Sequence, residues 1–354
     1  MQIVYARQHS PIFSDLPVGM SHEVAVCVPV RDERVSLPAL VEALRGQGEF
    51  ILCLFLDGCT DGSEAVARAA AGGLPLRTAS GPVRSEPNAG RARRSAMALG
   101  LEAVGDRGVL LSTDADSVPA EDWIAAVVAS LADCDVVAGR VERERAEADP
   151  MAGRIEAYYD RLYAHRRTLD PVAWERGPGH HYAAGANLGF RAGAYRALGG
   201  FPPLAAGEDA TLVDDAMRAG FCVRRDPAPV VRTSARREGR VEGGLASALR
   251  RLDQAGEAGL TVGDPAAAVW QYERHAAARV VFPLLPERTA AVRLGATIGL
   301  SADHVLGVAR DCPNAEAFAM RIVPAAPGAS APVPLAEAER TLAALEQALL
   351  EVAA

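Results

Sequence analysis

Short apolar runs alternate with stretches of helical period through the first half of the chain. "EVAVCVPV" (23–30) is β-rich and apolar at nearly every position, as a strand covered on both faces requires. "LPALVEALRGQ" (37–47) then spaces its apolar residues three and four apart, which predicts a helix. The pair repeats. "FILCLFLDG" (50–58) reads as a strand and "TDGSEAVARAAA" (60–71) as a helix capped by Asp or Ser. "LPLRTAS" is a third strand and "AGRARRSAMALGLEAV" (89–104) a third helix. "GVLLSTDAD" is expected to be the fourth strand, "PAEDWIAAVVASLA" (119–132) a helix with proline in its first turn, and "CDVVAGRVE" a fifth strand. Strand and helix alternating at this pace predict an α/β fold, a mostly parallel sheet flanked by helices.

The rhythm changes after residue 142. Residues 142 to 175 are charged and helical in pattern, and "HHYAAGANLGFRAGAYRALGGF" (180–201) combines glycines with a strand and a short helix. "GEDATLVDDAMRAGF" (207–221) predicts a helix closed by Gly220. From about residue 246 the chain reads as alanine-rich helices without strand signals. The expected segments are an N-terminal arm (1–22), an α/β domain (23–245), a helical extension (246–324), a linker "AAPGASAPVP" (325–334) and a C-terminal helix (335–354). That last helix sets Leu335, Ala338, Leu342, Leu345, Leu349 and Val352 on one seam. The seam suits either a homodimer contact or docking on its own domain.

Composition narrows the chemistry. The 354 residues are 49% hydrophobic, enough for a large core, and the net charge of −8 argues against nucleic acid as a partner. Every basic residue is arginine, so Schiff-base catalysis, pyridoxal phosphate attachment and a P-loop lysine are excluded. The six cysteines form no CxxC pair, and Cys27 and Cys53 sit in apolar runs, as small hydrophobes in a reducing compartment would. No stretch reaches the ~20 apolar residues of a membrane span, and the N-terminus lacks a signal-peptide core. A cytoplasmic protein is expected.

The chemistry-bearing feature is "STDAD". Residues i and i+2 of a strand project to the same side, so Asp114 and Asp116 converge at a strand's C-terminal end, where open α/β sheets bind ligands. Two convergent carboxylates repel unless a cation lies between them or one is protonated. Mg²⁺ or Mn²⁺ with a diphosphate completing its shell answers that need; a helix-capping aspartate beside a solvated one is the plainer alternative. Asp57 ends the second strand and Glu33 follows the first, so three strand ends offer acids to one edge. Asp57 and Asp61 also suit tight Asp-Gly turns.

At this point the chain resembles the family 2 glycosyltransferases of the GT-A fold. The resemblance rests on "PVRDE" (29–33), "FLDGCTDGS", "NAGRARRSA", the DxD at 114–116, "GANLGFRAGAYRALGGF" and "GEDATLVDDAMRAG", in the family's order across residues 23 to about 237. It implies a nucleotide-diphospho-sugar transferase fold with a helical C-terminal extension. It also implies metal-dependent transfer of a sugar, from a UDP-sugar first and a GDP-sugar next, to an acceptor hydroxyl with inversion. By resemblance Asp57 holds the nucleobase, and Pro29, Val30, Arg31 and Glu33 shape the nucleoside pocket. Gly90, Arg91 and Arg94 lie near the donor, Asp114 touches ribose or metal, and Asp116 ligates metal. Asp209 is the base, and Arg236 and Arg237 belong to a loop over the diphosphate. Three departures are visible: Asp32 stands for the usual asparagine, the second motif has one aspartate fewer, and Ser95 falls where an asparagine is expected.

Two other readings stay open. A sugar-phosphate nucleotidyltransferase would bring a glycine-rich opening loop and phosphate-binding lysines, which this chain lacks. A catalytically degenerate sugar-nucleotide-binding or partner-binding protein would not need Asp57, Asp114, Asp116 and Asp209 together. His180 and His181 read either as surface-loop residues or as contacts to acceptor or metal, and Arg236, Arg237 and Arg240 as a phosphate clamp or a solvated basic loop.

Overall fold

A computed structural model describes residues 23–143, 150–234, 254, 259–285, 287–328 and 331–353. Eight strands build one sheet: β1 (Val24–Val30), β2 (Ile51–Asp57), β3 (Leu76–Gly81), β4 (Val109–Ser112), β5 (Ser117–Pro119), β6 (Val136–Arg143), β7 (Leu188–Arg191) and β8 (Val223–Thr233). Their order is β3-β2-β1-β4-β7-β6-β8-β5. Strands β1 to β4 pair in parallel, β6 pairs in parallel with β8, and β7 and β5 run the other way. The C-terminal ends of β2, β1 and β4 therefore lie side by side.

The apolar runs split between two layers because side chains alternate along a strand. Val24, Val26, Val28 and Val30, with Leu52, Leu54 and Leu56, pack under α1 (Leu37–Leu44) and α4 (Trp123–Ser130). Ala25, Cys27, Cys53 and Leu110 face the other way, under α3 (Ala89–Val104) and α7 (Glu208–Ala219). Burying each Val or Leu contributes about 1.5–3 kcal/mol, so these two rows dominate the fold's stability. The six cysteines are free thiols, and Cys27, Cys53, Cys134 and Cys312 are buried as apolar side chains. Helices α2 (Ser63–Ala71), α5 (Pro150–Leu169) and α6 (Ala192–Ala197) complete the α/β part.

Four details depart from the sequence expectations. First, β4 stops at Ser112, and Asp114 to Ser117 form a turn closed by the Ser117 amide on the Asp114 carbonyl at 3.1 Å. Second, Pro119 ends β5 instead of opening a helix, and α4 starts at Trp123. Strand β5 lies at the sheet's edge, where a proline's missing N–H costs no ladder bond. Third, β8 was concealed by its arginines and two prolines; Asp226 anchors its irregular stretch, accepting from the Ala228 amide at 3.0 Å and the Ser130 hydroxyl at 2.7 Å. Fourth, β9 (Thr261–Val262) pairs with β10 (Val333–Pro334), so the expected linker ends in a strand too short to show a period.

Helices α8 (Pro265–Val281), α9 (Arg288–Ile298), α10 (Ala302–Arg310) and α11 (Ala315–Ile322) enclose a core of their own around Leu294, Ile298, Phe318 and Ile322. In α12 (Leu335–Ala353) the seam residues Leu335, Ala338 and Leu342 pack on Tyr158 and Leu162 of α5. Pairs Arg154–Glu339 and Arg161–Glu346, both at 2.6 Å, flank the contact. The front of the seam is thus used within the chain. Among the described residues no helix is long and apolar enough to cross a membrane.

Gly90 lets the 202–204 loop dock on α3: a Cβ there would lie 2.1 Å from the Pro202 carbonyl oxygen, and its amide donates to Leu204 at 3.0 Å. We expect Gly90→Ala to lower stability by about 1–3 kcal/mol in denaturant melts.

Candidate active site

The site starts from the three adjacent strand ends. After β1 the chain turns through Asp32, which holds φ = +51°, a left-handed conformation that an L residue adopts only when its surroundings impose it. Its carboxylate accepts the Thr60 amide at 2.7 Å, tying the loop after β1 to the loop after β2. The Glu33 amide donates to Ser63 Oγ at 2.9 Å, and the Arg34 amide to Asp61 at 3.0 Å. Cys59 adds a bond from Sγ to the Val30 carbonyl at 3.2 Å. Burial works to raise the Asp61 pKa, but bonds from Ser63 and the Arg34 amide outweigh it and lower the value. Asp61 is thus a turn residue that fixes this loop pair.

Asp57, buried at the end of β2, receives Arg31 Nη1 at 3.2 Å, while Arg31 Nη2 donates to the Arg84 carbonyl at 3.2 Å. Arg31 and Asp57 are therefore paired at the ends of β1 and β2, with Pro29 just before them and the Val30 side chain sealed in the core beneath. Glu33 turns away from this pair: its carboxylate accepts the Ser36 hydroxyl at 2.9 Å, and its carbonyl accepts the first amides of the α1 turn.

At β4 the arrangement centres on Arg93, which is 6% exposed. Its Nη2 donates to Asp114 at 2.9 Å, its Nε to Glu208 at 3.1 Å, and its Nη1 to Ser112 Oγ at 3.0 Å and the Gly185 carbonyl at 2.9 Å. Burial disfavours its charge, but Asp114, Glu208 and Asp209 together more than offset this, so the guanidinium is held firmly protonated. Glu208 is raised by burial and, less, by Asp209, with Arg93 opposing. Asp209 begins α7 beside it: Oδ2 accepts the Gly185 amide and Oδ1 the Ala210 amide, each at 2.8 Å. Gly185 must lack a side chain, since a Cβ would meet the Arg93 guanidinium carbon at 2.5 Å. Beneath it, Asn187 accepts from Trp123 Nε1 at 2.8 Å and donates to the Arg140 and Pro229 carbonyls at 2.8 and 2.9 Å, so this turn is fully bonded.

The structure brings Asp114 and Asp209 together around one guanidinium, with Asp116 two residues on in the turn. Arg91 and Arg94 stand exposed on α3; the Arg91 amide is capped by Asn88 at 2.7 Å, and Arg94 donates to the Phe201 carbonyl at 3.2 Å. Arg236 and Arg237 lie outside the described residues. His180 is fully buried, its Nδ1 accepting the Tyr182 amide at 3.1 Å, so Nε2 carries the proton toward the Asp226 carbonyl at 3.1 Å. Burial pushes it down to about 4, a neutral structural ring. His181, half-buried, bonds Asp160 at 2.8 Å and stacks on Tyr182 at 4.3 Å. Sequence reasoning passed over Arg93. The signal was there: it shares the apolar stripe of α3 with Ala89, Ala96, Met97, Gly100 and Val104, where a charge needs buried partners.

Among the described residues no three His, Cys, Asp or Glu side chains converge on one point. Asp114 and Asp116 are half-buried, with the buried Ala115 between them and Ser117 beyond, and Asp114 gives one oxygen to Arg93. Such a donor set suits Mg²⁺ or Mn²⁺ shared with substrate phosphates and water, and does not suit an ion enclosed by protein alone.

An open, mostly parallel sheet carries Asp57 at the end of β2 and Asp114 just past the end of β4, and the Glu208–Asp209 pair opens α7 beside Asp114. Residues 25–199 match the family model described as Glycosyl transferase family 2, and the chain carries a glycosyltransferase domain of that family, of the GT-A fold. Among solved structures, the mannosyltransferase PcManGT from Pyrobaculum calidifontis in complex with GDP-Man and Mn²⁺ aligns at 17% identity, TM-score 0.46, over 85% of this chain and 86% of its own. TarS 1–349 of S. aureus in complex with UDP aligns at 13% identity, TM-score 0.45, over 82% and 90%. This chain spans 65% of a mycobacterial protein that aligns at 19% identity, TM-score 0.38, over 60% of this chain. A search of curated protein sequences finds no match.

Removing Arg93 leaves two carboxylates facing each other without their cation. We expect Arg93→Met to cost about 3–5 kcal/mol at neutral pH, since breaking a buried pair strands a charge. The deficit should shrink as pH falls through the raised value of Glu208 toward its ordinary 4.5, because the protonated acid no longer needs a partner. Melts of both proteins across this window measure it; a deficit that grows with acid would contradict the assignment.

Proposed function

We propose that the chain transfers a sugar from a nucleoside-diphosphate sugar, UDP-linked first and GDP-linked next, to an acceptor hydroxyl with inversion at the anomeric carbon. The observation that carries this reading is the Arg93 network, which joins Asp114 at β4 to Glu208 and Asp209 at α7 inside a family 2 glycosyltransferase domain. The nucleobase edge meets Asp57, whose position Arg31 holds; Pro29 and Val30 carry Arg31 to the end of β1, and the Glu33 turn supports the pair. Gly90, Arg91 and Arg94 stand on the donor side of α3. Asp116 and Asp114 are the residues that would hold Mg²⁺ or Mn²⁺, and the ion would supply the charge that neutralises the leaving diphosphate.

Asp209 takes the proton of the acceptor hydroxyl as its oxygen attacks the anomeric carbon and the bond to the diphosphate breaks. Each Asp209 oxygen accepts one amide bond and keeps a second lone pair for that proton. The two amide bonds also stop the carboxylate from rotating, so its free lone pairs have a fixed direction. Arg93 keeps Glu208 from competing as the base by occupying it.

Two measurements test this. Asp209→Asn keeps size and one amide bond but accepts no proton. It should bind UDP-sugar and melt near wild type while transfer falls ~10²-fold or more; near-normal transfer would remove Asp209 from the role. Asp116→Ala should abolish the Mn²⁺-dependent part of nucleotide binding in calorimetry, because one remaining carboxylate, already shared with Arg93, holds the ion poorly. Unchanged Mn²⁺-dependent affinity would sink the metal assignment.

A further inference from the structure

Where α5 ends against β8 and α8, arginines outnumber acids. Arg166, Arg167, Arg225 and Arg279 surround Asp170, Glu175 and Glu316, four guanidinium groups to three carboxylates. Arg279 takes Glu316 at 2.7 Å and also binds Asp170, while Arg167 binds Glu175 and reaches Asp170 at 3.5 Å. That leaves Arg166 and Arg225. The acid oxygens closest to them are Asp170 Oδ2 and Glu175 Oε1, each at 4.0 Å. Among the described residues neither guanidinium makes a hydrogen bond; the Nε of each, like those of Arg167 and Arg274, is sealed from solvent without a hydrogen-bond partner, and for Arg166 and Arg225 no other guanidinium nitrogen supplies one.

Both side chains are nearly enclosed, at 12% and 11% exposure. Each lies over an aromatic ring: Arg166 over Tyr272 at 5.2 Å and Arg225 over Tyr163 at 5.3 Å. They are electrostatic neighbours. Burial, then Arg167 and Arg225, lower the pKa of Arg166. The ring faces attract the two cations but accept none of their hydrogen bonds. Buried donors with no acceptor, and like charges held close, are costly in a folded chain unless something else supplies the acceptor. The planar fork of arginine matches the oxygens of a tetrahedral oxyanion, and a dianion bridging two forks would offset both charges.

We propose that Arg166 and Arg225 form a phosphate-binding site, separate from the Arg93 network, for inorganic phosphate or the phosphate group of a small molecule. No contact of either residue reaches Arg93, Asp114 or Asp209, so the site goes beyond the transfer chemistry and does not rest on it.

Inorganic phosphate titrated into the full chain by calorimetry, at constant ionic strength in chloride, tests the proposal. The wild type should bind phosphate and melt at a higher temperature with it. Arg166→Met and Arg225→Met should each bind roughly 10- to 100-fold more weakly, the loss expected for charge-assisted bonds. Without phosphate both variants should melt within a few degrees of the wild type, because methionine fills the space and removes a buried charge whose only acid contact is a long 4.0 Å pair. Two positions are substituted so that a fold defect at one leaves the other informative. The exposed Arg288→Met serves as control and should bind as wild type. No phosphate binding by the wild type, or binding as tight as wild type by both variants, overturns the proposal. Steady-state transfer then separates the sources. Free phosphate competing with a phosphorylated acceptor assigns the site to the acceptor; a change in rate without competition assigns it to free phosphate. The binding measurement needs no transfer activity, so its failure and that of the transferase reading are distinguishable.

Discussion

One guanidinium organises the functional edge of this sheet. Arg93 reaches from the buried face of α3 to the end of β4, the turn at Gly185 and the start of α7, and it uses all three nitrogens in doing so. Three elements distant in sequence are thereby held to one point. A charge at this depth is tolerated only because its bonds are complete. Asp114 and Glu208 serve as its partners, with Asp209 close by, and it in turn lets them stay close without mutual repulsion. The same geometry requires Gly185, whose missing side chain makes room for the arginine.

The adjoining strand ends are held differently. Between the loops after β1 and β2 there is no buried ion but a row of backbone-to-side-chain bonds, from Thr60 to Asp32, Glu33 to Ser63 and Arg34 to Asp61. Each satisfies an amide that a loop would otherwise leave to water, and together they impose the left-handed turn at Asp32. Near α8 the logic reverses: Asp170 is shared by Arg279 and Arg167 and Glu316 is held by Arg279, whereas Arg166 and Arg225 make no hydrogen bond through their guanidinium groups. Two buried arginine clusters in one chain thus differ in kind, one closed on itself and one incomplete.

Much of the α/β part was legible from pattern alone. The valine and leucine runs of β1 and β2 and the 16 residues of α3 stand where their periods predict, because burial on both faces or one face writes itself into composition. Strand β8 escaped since its polar positions bond laterally and its prolines sit at an irregularity. The two-residue ladder of β9 and β10 is too short to carry any period. The end of β4 was read four residues late, at Asp116 instead of Ser112: a turn can be as rich in aspartate as a strand end that binds a ligand.

For the site, sequence by itself determined the residue types and their order: acids at the ends of three successive strands, an acid pair opening a helix, and arginine as the sole cation. It could not determine which arginine turns inward. Arg91, Arg93 and Arg94 are near neighbours in one helix, and the choice among them depends on the face of α3 that packs on the sheet and on what β4 and α7 bring opposite. The histidine pair divides the same way, His180 sealed beneath β8 and His181 half-buried against Asp160 and Tyr182. Local sequence sets what each segment can bury. Which charges meet is decided by the packing of segments far apart in the chain, since a buried charge is stable only where distant residues complete its bonds.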